Sequence, residues 1–283
     1  MTVHILSYAS DLAGNKAGSA EGPWAIQSSC NLTGKALWYP PLQPQISLRG
    51  AQALPDVVRM CTRLAELSAQ TVRAHEKVLT LGGDHSCAIG TWSGVSFAKQ
   101  QEGPIGLIWF DAHMDSHTFH TTPSQNIHGM PLAALLGEGD PALTTILSKT
   151  PKLLPQNVAL IGARSFEPEE HELLKRLNIR IYHMDEVNSR GLEVVLNEAI
   201  DLVTKKTVGF GISIDLDGID PIDAPGVGVP EADGIRSADF LETLPLIRNN
   251  TKFLGAEIVE LNPSLDRGAK TVNLAVAILK GLL

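Results

Sequence analysis

An α/β fold, with a parallel sheet flanked by helices on both faces, is predicted by three observations. Short apolar runs without polar alternation recur along the chain, as strands buried on both faces require. Between them, apolar residues recur at helical spacing. Clusters of Asp and His directly follow several of the runs, at the carboxyl ends where open α/β sheets hold ligands. The 283 residues are 43% hydrophobic and 19% charged, which suits a globular chain with one large core. No composition shift, repeat or low-complexity tract divides it, so residues 1–283 are expected to form a single domain.

The elements follow in order. Residues 3–7 read as the first strand, and Val57, Cys61, Leu64, Leu67 and Val72 mark a long amphipathic helix. Residues 77–81 and 105–110 are apolar strands, each running into a polar cluster. The polar segment 118–126 is a loop, and 130–136 is a short helical run. Strands are predicted at 158–161 and 179–183, then a less regular helix through Val194, Ile200 and Val203. Residues 208–214 form a strand leading into 217–235, where Pro221, Pro225, Pro230 and four glycines predict a shaped loop. A strand at 254–260 and a helix carrying Val272, Val276 and Leu279 on one face close the chain.

Lys and Arg number 23 against 31 Asp and Glu, a net charge of −8. That balance argues against nucleic acid or an anionic membrane as partner, and is compatible with a small cationic substrate. Cys30, Cys61 and Cys87 show no CxxC spacing, so a disulfide framework or a zinc–cysteine site is not expected. The first residues lack the features of a secretory signal, and no run approaches the roughly 20 apolar residues of a membrane span. A soluble cytoplasmic protein is the expectation. Trp24, Trp38, Trp92 and Trp109 read as packing residues.

Three clusters carry chemistry: Gly82-Gly83-Asp84-His85-Ser86, Asp111-Ala112-His113-Met114-Asp115, and Asp215-Leu216-Asp217-Gly218. Asp111, His113 and Asp115 are spaced i, i+2, i+4, which in an extended segment puts them on one face. Each cluster alone has a plainer reading: a helix cap at Asp84 or Ser86, a solvated strand end, an Asx turn at Asp215. Together, so many acidic groups at strand ends would repel strongly unless cations offset them. Two His and four Asp supply about the six ligands that a carboxylate-bridged pair of divalent ions needs. The donor mix suits Mn²⁺, with Fe²⁺, Co²⁺ and Zn²⁺ chemically possible.

In this order the clusters resemble the ureohydrolase family, which includes arginase, agmatinase and related guanidino hydrolases. The resemblance runs from Gly22-Pro23 to the last helix. It implies a single α/β domain with an eight-stranded parallel sheet, two Mn²⁺ per subunit, and a homo-oligomer, trimer or hexamer. By position, one ion takes His85, Asp111, Asp115 and Asp215, and the other takes Asp111, His113, Asp215 and Asp217. The segment Ser124-Gln125-Asn126-Ile127-His128-Gly129-Met130-Pro131 is arginase-like. Ser124 and Asn126 then map to contacts with a substrate α-carboxylate, and His128 to a proton shuttle. Glu167 and Glu170, in the segment after Gly162, map to the α-amino site. Glu260 maps to the guanidinium-binding acid, and Asp115 is a second candidate for proton delivery. Without the resemblance, Glu167 and Glu170 would be helix-start acids and Glu260 a strand-end surface residue.

The chain departs from the arginase pattern at His117, where Asn is usual, at Glu167, where Asp is usual, and at Val229, where Thr is usual. The implied activity is hydrolysis of a small guanidino substrate, L-arginine, to L-ornithine and urea. Hydrolysis of guanidinobutyrate or agmatine, and a metal-binding homologue without turnover, are the other readings.

Overall fold

The computed structural model describes residues 3–32 and 36–283. Eight parallel strands form one sheet: β1 (Val3–Tyr8), β2 (Ala36–Trp38), β3 (Val78–Gly82), β4 (Ile105–Phe110), β5 (Val158–Ala163), β6 (Arg180–His183), β7 (Gly209–Asp215) and β8 (Phe253–Val259). Their order is β2-β1-β3-β8-β7-β4-β5-β6, and each predicted strand is present to within two residues at either end. The three-residue edge strand β2 was not predicted, because Ala36-Leu37-Trp38 carries no apolar run long enough to mark it.

The helices are α1 (Gly22–Ser29), α2 (Leu54–Arg73), α3 (Cys87–Lys99), α4 (Pro131–Leu135), α5 (Pro141–Thr144), α6 (Pro168–Arg176), α7 (Met184–Arg190), α8 (Leu192–Thr204), α9 (Ser237–Arg248) and α10 (Lys270–Leu282). Alternate residues of each strand enter opposite layers. Leu107 and Trp109 of β4 pack with α2, α3 and α4, while Ile108 and Phe110 pack with α8, α9 and α10. Every residue of β3, β4, β5 and β7 is buried, which is why these strands read as unbroken apolar runs. In α8 the buried face is Val195, Leu196, Ala199, Ile200 and Val203. Val194, predicted to belong to that face, is 51% exposed, since it lies one position off the stripe. Trp24 is also exposed rather than packed. No described helix is long and apolar enough to cross a membrane.

The four central strands, β3-β8-β7-β4, place their carboxyl ends side by side. After β4 the chain continues to β5 on one side, whereas after neighbouring β7 it continues to β8 on the other, so the connections diverge here and this is the crevice where ligands are expected.

Candidate active site and metal centre

The His and Asp clusters meet in that crevice. His85 follows β3, Asp111 follows β4, Asp215 ends β7 and Glu260 follows β8. The Nδ1 of buried His85 lies 3.2 Å from Asp111 Oδ2 and 3.0 Å from both Asp115 Oδ2 and Asp215 Oδ2. His113 Nδ1 lies 3.2 Å from Asp217 Oδ2 and 3.5 Å from Asp111 Oδ1. Asp111 therefore stands between the two imidazoles, and the triads His85–Asp111–Asp215 and Asp111–His113–Asp217 each gather within ion-binding range.

The convergence does not come from one extended face, as the i, i+2, i+4 spacing predicted. The strand ends at Phe110, and residues 111–117 are irregular. Asp111 turns the chain by accepting the His113 amide on Oδ1 at 2.7 Å. Asp115 then takes a left-handed backbone, φ 46°, which swings its carboxylate back toward His85. Asp215 does form the Asx turn, accepting the Asp217 amide on Oδ1 at 2.9 Å, and its Oδ2 is left for His85. Glu260 is also left-handed, φ 64°. Such conformations cost about 1–3 kcal/mol each and concentrate at functional sites.

Electrostatics separate these acids. Burial raises Asp215 well above the carboxylate range, and the charges of Asp217 and Asp111 add to it. Burial and neighbouring Asp111 also raise Asp115. Asp217 is pushed up to about 6 by burial, against the relief that His113 provides. Asp111 resists its own burial and stays low, because the His113 and His85 imidazoles both lie against it. Burial disfavours charge on His85, yet the Asp111, Asp115 and Asp215 carboxylates gathered around it raise it well above the ordinary imidazole range.

The donor set fits a pair of cations. The buried His85 Nδ1 has no hydrogen-bond partner although carboxylate oxygens surround it, as expected of a ligand atom directed at an ion. The carboxylates Asp111 and Asp215 each commit one oxygen to the backbone and turn the other inward. A third His–acid group, His117–Glu167–Glu170, does not share this character. His117 Nδ1 pairs with Thr121 Oγ1 at 3.1 Å and Nε2 with Glu167 Oε2 at 3.0 Å. Glu170 accepts from the amides of Ser116 and Glu167, both at 3.1 Å, so it fastens the start of α6 to the loop after β4. Burial pushes the Glu170 carboxyl up to about 8.

One cavity of about 190 Å³ joins the sets. His85, His113, Asp115, Asp215 and Asp217 line it, together with Ser124, Asn126, His128, Val229 and Glu260. His117, Glu167 and Glu170 line it too, so of the predicted site residues only Asp111 is sealed from it. Glu260 Oε1 accepts from the His85 amide at 2.8 Å and pairs with His128 Nδ1 at 3.0 Å. That pairing raises His128 to about 9 against the effect of burial, and holds Glu260 below its usual range.

Two contributors escaped sequence reasoning. Trp109 is more than packing: its ring stacks on His85 at 4.3 Å, and its Nε1 donates to Asp111 Oδ2 at 2.9 Å. Its place two residues before Asp111 on a strand was the available signal. Arg164, beyond β5, donates to the carbonyls of Gly162, Asp217, Gly218, Glu231 and Ala232 and so anchors the loop bearing Asp217. No local pattern marks it.

Comparison with known proteins agrees with this architecture. The Arginase family profile matches residues 1–283. An arginase from Bacillus caldovelox is 45% identical over 229 residues, covering 81% of this chain and 76% of its own. Its native structure at pH 5.6 superimposes with TM-score 0.92 at 36% identity, over 99% of this chain and 97% of that one. The arginase structure from Bacillus subtilis gives TM-score 0.91 at 34% identity, over 100% and 98%.

Proposed function

Because the chain belongs to the arginase family, we propose that it hydrolyses L-arginine to L-ornithine and urea with two Mn²⁺ ions per subunit. Assembly as a trimer or hexamer is part of the same proposal. The observation that carries the reading is the cavity lined at once by His85, His113, Asp115, Asp215 and Asp217, by Glu260 and His128, and by Ser124, Asn126 and Glu170. His85, Asp111, Asp115 and Asp215 would hold one ion, and Asp111, His113, Asp215 and Asp217 the other. When bound, such a pair would supply a hydroxide at neutral pH as the nucleophile.

The rest of the work falls to the chain. Glu260 Oε1 is occupied by the His85 amide and His128, so Oε2 is free to accept N–H bonds from a guanidinium. A carboxylate kept ionised in a buried site orients that cation at little reorganisation cost. As water adds to the guanidinium carbon, the C–N bond to the ornithine nitrogen breaks and that nitrogen requires a proton. His128, kept protonated at neutral pH by Glu260, faces the cavity and can supply it. Asp115 is the second candidate for this delivery.

The bond between His117 and Glu167 favours a second reading, a guanidino acid without an α-amine, such as guanidinobutyrate. An α-ammonium would compete with the imidazole for the same carboxylates, and Val229 offers no hydroxyl on the cavity wall. Urea release from arginine, agmatine and guanidinobutyrate by Mn²⁺-loaded enzyme separates these readings. Arginine as the preferred substrate supports the first, and preference for guanidinobutyrate replaces it with the second.

A further inference from the structure

Glu257 is fully buried in the middle of the sheet, on β8, and no step described above uses it. Its surroundings have one directional reading. Trp92 Nε1 lies 2.6 Å from Glu257 Oε1, and an indole N–H can only donate. Ser213 Oγ lies 2.6 Å from the same oxygen. A carboxylate oxygen, or the carbonyl oxygen of a carboxyl protonated on Oε2, only accepts, so with Oε1 in that role the Ser213 hydroxyl is the donor. Its hydrogen is then spent, and a lone pair faces His85 Nε2 at 2.7 Å. The hydrogen of that contact must therefore sit on Nε2. The direction holds whether or not Glu257 Oε2 carries a proton, because Oε1 accepts in both cases. The geometry is tightly held: a Cβ at Gly211 would come within 2.0 Å of the Trp92 ring, so the glycine lets the indole lie against β7.

We propose that Glu257, acting through Ser213, is a positioning residue that fixes His85 as its Nε2–H tautomer and so presents Nδ1, bare, to the space between Asp111, Asp115 and Asp215. This rests on the reading that His85 holds an ion. An imidazole in the other tautomer would point N–H at that ion and could not ligate it. Partners of this kind behind a metal-binding His typically change metal affinity by about 10–100-fold.

The test measures Mn²⁺ stoichiometry and affinity by calorimetry on full-length protein, with melting of the metal-free variants as the folding control. Glu257→Leu, which removes the acceptor, is expected to weaken one of two Mn²⁺ sites by about 10–100-fold. Ser213→Ala should do the same, and Ser213→Ala/Glu257→Leu should be no weaker than Ser213→Ala alone. Glu257→Gln keeps an acceptor for Trp92 and Ser213 and should retain most of the affinity, a rescue that loss of packing alone would not give. In the weakened variants the electron paramagnetic resonance spectrum at limiting Mn²⁺ should change from that of a coupled pair to that of an isolated ion. Additive losses, or unchanged affinity in Glu257→Leu, would overturn the relay. Wild-type protein that takes up no Mn²⁺ would overturn the two-ion reading itself. Neutron diffraction of wild-type, metal-loaded crystals decides the matter without any variant: deuterium on His85 Nε2 supports the proposal and deuterium on Nδ1 refutes it.

Discussion

Between Glu260 and Gly14 the imidazole of His128 has little freedom. Its Nδ1 is tied to Glu260, and a Cβ placed on Gly14 would stand 3.2 Å from Nε2 and 3.3 Å from Cε1. Gly14→Ala must therefore push the ring by a few tenths of an ångström, toward the cavity. Since an error of about 1 Å in a reacting group can cost 10²-fold, we expect kcat to fall up to about tenfold with bound metal unchanged. Loss of metal in Gly14→Ala would show that the N-terminal loop serves the ligands instead. Ser124 and Asn126 line the same cavity and test the other end of the substrate. Agmatine is arginine without its carboxylate, so the metal centre cannot tell them apart. Two hydrogen bonds to a charged group, at about 1.5–3 kcal/mol each, would give arginine roughly 10²–10⁴-fold preference in kcat/KM. Ser124→Ala/Asn126→Ala should remove most of that ratio, and an unchanged ratio would release both residues from substrate binding.

The loop between β7 and α9 is held by charge at its far end as it is by Arg164 near Asp217. Arg236 bonds Asp223 through both oxygens, at 2.9 and 3.0 Å, and the Ser237 amide at the start of α9 adds a third bond at 3.0 Å. The guanidinium holds the Asp223 carboxyl down at about 2, from about 3.9 in an unfolded chain. A lowered carboxyl stabilises the fold above its unfolded value, and the gain is lost as pH falls through the folded one. The stability difference between wild type and Asp223→Asn should thus be constant above about pH 5 and shrink between about pH 4 and pH 2. Denaturant midpoints at pH 6, 4 and 3 check it, and a difference independent of pH would mean that shape, not charge, holds the loop. The sequence revealed this loop through Pro221, Pro225 and Pro230, but not its fastenings, because Arg164 and Arg236 act across distances that no local pattern encodes. Strands were legible where burial on both faces leaves an unbroken apolar run, as at Ile105–Phe110. They were not legible where an edge needs only three residues, as at Ala36–Trp38.

At the scale of the whole molecule, the strand order makes the site. β8, near the end of the chain, inserts between β3 and β7, so Glu260 meets the His85 amide and Glu257 meets Cys87 across some 170 residues of sequence. The sequence named the His and Asp that gather at the site, since so many acids at strand ends call for a cation. It could not reveal which oxygen of each carboxylate turns inward, because backbone amides supplied by the fold decide that. On the proposed two-ion reading, the same arrangement should make stability depend on divalent ions. Asp115, Asp215 and Asp217 are all raised by burial and by one another or Asp111, which is free energy that the metal-free fold must carry. Divalent ions that bind the folded state alone relieve it, by about 2.7 kcal/mol at a free concentration of 100 Kd. At roughly 2–4 °C per kcal/mol for a chain somewhat shorter than this one, that is a rise in Tm of about 5–10 °C. Chelated protein should melt lower by that amount, and Mn²⁺ should restore it. Asp215→Asn, which removes one charge from the cluster, should melt higher than wild type without metal and gain less on its addition. A chelated wild type that melts no lower than the Mn²⁺-loaded protein would mean that the folded site holds no ions.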